Sequence, residues 1–168
     1  MNWLVSFLTP GGLAIVIALV VMGLEAWLTR PDPMGFLASL EQPSWALPRA
    51  VMYAIPFFFY GIAAYAAAAA IRAGDPGRGA LELVVAVLVG NAVLNHLLCR
   101  QRRIDWALWF SVPLVLIAAA AAYLVFALDR VAGALMGLVV VFFVYDALWL
   151  TGLAKSNPEH TGRPRPQS

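Results

Sequence analysis

Pro43-Ser44-Trp45-Ala46-Leu47-Pro48-Arg49 runs straight into an apolar segment, residues 50–71, and the reading of that junction decides the fold. Two prolines fix φ and carry no N–H, so residues 43–48 reach the segment as tight, non-helical chain. Trp45 and Arg49 then stand where a bilayer has its headgroups, a zone that suits an indole ring and a cation alike. The segment behind them carries Tyr60, Gly61 and Tyr65 and no charge before Arg72. It is long enough to cross a hydrocarbon layer of about 30 Å, which takes about 20 helical residues.

The rest of the chain follows suit. Its 168 residues are 62% hydrophobic and only 12% charged, with a mean hydropathy of +0.82. That excludes an ordinary soluble domain and makes the chain an integral membrane protein, in contact with lipid. Apolar stretches at roughly 8–28, 49–71, 80–99, 106–127 and 131–154 predict an all-α, five-transmembrane-helix bundle as a single domain over residues 1–155. Helices are the choice because a lipid-facing strand leaves its backbone unpaired, and no alternating barrel pattern is present. The first apolar run lacks a basic region ahead of it and a cleavage site behind it, so it is expected to stay as a helix. A polar, proline-containing tail over 156–168 is expected to be disordered. No Lys/Arg run is long enough for nucleic acid, and the single cysteine, Cys99, excludes an internal disulfide.

If all five spans are real, Lys and Arg sort by side. Arg72, Arg78 and Arg130 fall on one side, whereas Arg30, Arg49, Arg100, Arg102, Arg103, Lys155, Arg163 and Arg165 fall on the other. The positive-inside rule then places the N-terminus outside and the Trp45 link and C-terminus in the cytoplasm. Between the first two spans lies a long link, ending at Pro48, that is expected to fold over the bundle.

Pro43, Ser44, Trp45, Pro48 and Val51, with Tyr60 twelve residues after the second proline, resemble the TspO/MBR family, the tryptophan-rich sensory proteins that include the mitochondrial translocator protein. Upstream, Phe36-Leu37-x-x-Leu40 stands at the spacing of that family's Trp-Tyr-x-x-Leu, and downstream Asn91 falls where its third helix carries an Asn. The resemblance spans about residues 30–135. It departs at Pro56, Val87, Leu94, Leu138 and Val139, where the family has Trp, Gln, Trp and a Pro-Tyr pair, so the chain resembles a divergent member. The resemblance implies a cavity for a flat, apolar ligand, a porphyrin or other haem-like tetrapyrrole or a sterol, serving sensing, sequestration or transport. No cofactor is required by it. Porphyrin breakdown, an activity proposed for some relatives, and a scaffold acting only through helix contacts are the alternatives.

Candidate ligand-binding residues are Trp45, Tyr60, Asn91, Asn95, Asp146 and Trp149. Asn91 and Asn95 share one face of the third span, and Asp146 lies deep in the fifth, where a carboxylate needs an inward orientation and a partner. An interhelical hydrogen bond worth about 1 kcal/mol is the competing reading for Asn95 and Asp146. Trp45 and Tyr60 enter by their matched positions. Of the six tryptophans, Trp3, Trp27, Trp45, Trp106, Trp109 and Trp149, most fall near span ends and read as an interfacial belt. Glu25, near the end of the first span, reads as snorkelling or pairing with Arg30. His96 reads as a satisfied structural histidine rather than a metal ligand, since one His makes no metal site. Gly133-x-x-x-Gly137 is a close-contact face, for packing within the monomer or for a homodimer. No catalytic triad, phosphate loop or metal cluster is legible, so the sequence offers no catalytic residues.

Overall fold

The computed structural model describes residues 9–161. Five helices long and apolar enough to span a membrane form the bundle. They are α1 (Pro10–Leu28), α3 (Arg49–Ala73), α4 (Arg78–Asn95), α5 (Ile104–Leu128) and α6 (Arg130–Ser156). A short α2 (Pro33–Ser39) precedes the proline-tryptophan stretch. The expected spans are therefore met to within a few residues, and the chain is an all-α membrane bundle.

Local chemistry explains the boundaries. Thr9 Oγ1 accepts from Gly12 N at 3.1 Å ahead of Pro10, a proline at the first helical position where no N–H is needed. Asp32 caps α2 in the same way through Gly35 N at 2.8 Å, again just before a proline, Pro33. Asp129 separates α5 from α6 and caps the latter, its Oδ1 accepting from Val131 N and Ala132 N, each at 3.0 Å. α4 does not end at Asn95 but runs into a π-helical turn, His96–Arg100, closed by Gln101 N on the His96 carbonyl at 3.1 Å.

The helices pack in the cyclic order α1, α3, α6, α5, α4 and back to α1. Alanine makes the close approach possible: Ala14 and Ala18, Ala63 with residues 66–70, Ala118 and Ala121 are all buried at helical spacing. Gly133 belongs to this set, because a Cβ there would run into the backbone of Phe126 on α5, whereas one at Gly137 would meet nothing within 4 Å. The outer faces expose Leu19, Val20, Phe57, Phe58, Leu116 and Val141, a surface suited to acyl chains. Phe59, by contrast, is buried.

The start of the tail expected to be disordered over 156–168 is instead packed against the bundle. Ser156 ends α6, and Asn157 is buried because its side chain bridges two elements, accepting from Glu41 N at 2.9 Å and donating to the Glu41 carbonyl at 3.0 Å. His160 then sets its ring edge-on to Phe36 at 5.3 Å. These contacts hold the chain as far as Thr161; the rest of the tail, like Trp3, lies outside the described residues.

Candidate ligand cavity

The long link folds across one end of the bundle and is tied to α6. Leu47 N donates to Tyr145 Oη at 2.9 Å, and the Trp45 ring stands edge-on to Tyr145 at 5.9 Å. Trp149 Nε1 donates to Gln42 Oε1 at 3.0 Å. Pro43 lies so close over Gly152 that a Cβ there would come 2.5 Å from its Cγ. Only glycine leaves that groove open.

Beneath this roof lies a cavity of about 190 Å³. α1 and its C-terminal cap contribute Glu25 and Thr29 to its wall, and α2 contributes Pro33, Met34 and Leu37. α3 supplies Met52, Ile55, Pro56 and Phe59; α4 with its π-turn supplies Asn91, Asn95, Leu98 and Cys99; α6 supplies Phe142, Asp146 and Trp149. A second space of about 260 Å³, directly under the proline-tryptophan stretch, shares Leu37, Met52 and Trp149 with the first. Together they fall in the range of roughly 300–1,000 Å³ typical of small-molecule sites. Proline inside α3 has a local consequence: Pro56 lacks the N–H that would bond the Met52 carbonyl, and both residues border the cavity.

The polar centre of this site is Glu25. Tyr60 Oη donates to its Oε2 at 2.6 Å and Asn91 Nδ2 to the same oxygen at 2.8 Å, while Asn95 Nδ2 donates to Oε1 at 3.0 Å. Three donors thus engage both oxygens of one carboxyl group. The expectation that Glu25 snorkels or pairs with Arg30 is thereby corrected: the side chain points inward, and its partners are Tyr60, Asn91 and Asn95. The overlooked signal is helical spacing, since Glu25 continues the buried stripe of Ala14, Ala18 and Val21.

Of the six candidate residues, Asn91, Asn95, Asp146 and Trp149 line one cavity. Tyr60 is buried and reaches it through Glu25. Trp45 does not line it; the ring stands 51% exposed on the outer side of the roof, against Tyr145. Trp149 is buried rather than part of a belt, whereas Trp27, Trp106 and Trp109 are exposed near helix ends. Asp146 is only 8% exposed and makes no hydrogen bond or ion pair within the described residues. His96 is satisfied, its Nδ1 lying 2.9 Å from the Leu28 carbonyl and its Nε2 3.2 Å from Gln101 Nε2. Among the described residues, no three metal-ligating side chains converge.

Comparison with known proteins agrees with this architecture. The model of the TspO/MBR family matches residues 13–152, most of the chain. No curated protein matches it.

Proposed function

Because the chain belongs to the TspO/MBR family, we propose that it binds a flat, apolar small molecule inside the bilayer, in the cavity under the proline-tryptophan roof. Its output is sensing, sequestration or transport of that molecule. The observation that carries this reading is the Glu25 centre, a fully engaged carboxylate with Asn91 and Asn95 set into an otherwise apolar, aromatic-walled space. A purely structural polar contact has no need of a cavity beside it. Phe59, Phe142 and Trp149 supply ring faces and edges for a planar body, and the family resemblance names tetrapyrroles as the class to try first. We further propose that the cavity occupies the cytoplasmic half. The roof and the π-turn share one end of the bundle, and that end carries most of the Lys and Arg.

A porphyrin titration of the protein in lipid nanodiscs, followed by tryptophan quenching, tests the proposal. Trp149 lies in the wall, so binding is expected to quench saturably, with roughly tenfold weaker binding in Asn91→Ala. Quenching that never saturates, or that Asn91→Ala and Trp149→Phe leave unchanged, removes the porphyrin reading.

A further inference from the structure

We infer that the polar end of the ligand is a cationic nitrogen, a protonated amine held between Glu25 and Asp146; this rests on the cavity being the binding site proposed above. Two carboxyl groups line the space, and no Lys, Arg or His is among the described residues that do. The donors on Glu25 are a phenol and two amides, none of which is a cation.

Asp146 makes the stronger case. It is more than nine-tenths buried, has no hydrogen-bond or ion-pair partner among the described residues, and still borders the cavity. It sits well inside α6, more than two turns from either end, beyond the reach of the helix dipole. A carboxyl group so placed in a membrane-spanning helix is costly unless something faces it. The described side chains leave that role open, and the cavity is the direction from which a partner can come. Ile55, Phe59, Leu98 and Phe142 around the carboxyl groups fit a hydrocarbon or aromatic body behind the charge. A ligand bearing its own carboxylate at this end meets two like charges instead.

The test compares three probes of one shape in nanodiscs by calorimetry, with protein-free discs subtracted: 1-naphthylmethylamine, protonated at neutral pH, 1-naphthylmethanol and 1-naphthoic acid. The amine is expected to bind roughly tenfold or more tightly than the other two. Asp146→Asn should remove that preference for amine over alcohol, and Asp146→Glu, which keeps the carboxyl group, should retain part of it. Equal affinities for amine and alcohol, or an amine affinity unmoved by Asp146→Asn, overturn the cation assignment. In that outcome the cavity itself survives if Cys99→Phe, which fills it, abolishes binding of the alcohol. Failure of all three probes to saturate overturns both readings.

Discussion

Glu25 stands one turn from the end of α1, yet it organises two other side-chain sets, Tyr60 on α3 and the Asn91 and Asn95 pair on α4. Removing it therefore costs more than one contact, because Glu25→Ala strands three donors, two of them on the buried Tyr60 and Asn91. An unfolding titration in mixed detergent micelles should show Glu25→Ala destabilised by roughly 2–4 kcal/mol and Tyr60→Phe by about 1 kcal/mol. The double variant is expected to cost less than the sum, since both changes break the same hydrogen bond. Strict additivity would show that the 2.6 Å contact contributes nothing. Much of this site was legible: the four-residue spacing of Asn91 and Asn95 and the depth of Asp146 brought three polar groups to one cavity wall. Glu25 was missed because a lone acid near a helix end has an ordinary explanation at the lipid surface, and only its register with Ala14, Ala18 and Val21 argues otherwise. Motif position is a weaker guide to geometry. Trp45 and Tyr60 were both picked by it, yet one packs on the outside of the roof and the other acts through Glu25.

At the scale of elements, apolar length alone located the five spans, because lipid leaves the backbone no alternative to the helix. Shorter pieces obey subtler rules. α2 looked like part of a link, although Asp32-Pro33 is a capping residue followed by a proline at the first helical position, a start signal in itself. The π-turn His96–Arg100 has no such signature in residue type; it arises where α4 must bring Leu98 and Cys99 to the cavity beside Asn95. Helix contact is also where the two glycines of Gly133-x-x-x-Gly137 part company. Gly133 is spent on α5, so Gly133→Ala is expected to lower stability by about 2 kcal/mol or more, since the backbone of Phe126 cannot yield as a side chain can. Gly137→Ala fills open space and should be nearly neutral in the same detergent unfolding measurement. Equal costs at both positions would mean that Gly137 too meets a surface, which in a lone chain it does not.

Over the whole molecule, roof, cavity, π-turn and the end of α6 gather at one end of the bundle, and so do Arg30, Arg100, Arg102, Arg103 and Lys155. Arg72, Arg78 and Arg130 mark the opposite end. Two of the cations at the cavity end are engaged in packing: Arg102 stands over Phe36 at 5.4 Å and Arg103 over Trp106 at 4.6 Å. They thus fasten α2 and the start of α5 at the level where the Trp106 ring meets the interface. The proposed orientation, which rests on this charge asymmetry, puts this end on the cytoplasmic side. Because Cys99 is the sole cysteine, Cys99→Ser yields a background for site-specific labelling. A cysteine introduced at exposed Asp75, between α3 and α4, should react with a membrane-impermeant maleimide added to intact cells. One introduced at exposed Gln101 should react only after the membrane is opened. The reverse pattern would turn the bundle over, with the ligand then reaching Asp146 from the outer leaflet. Labelling of both sites in intact cells would mean that the chain inserts in two orientations, and that the excess of Lys and Arg at one end does not set its topology.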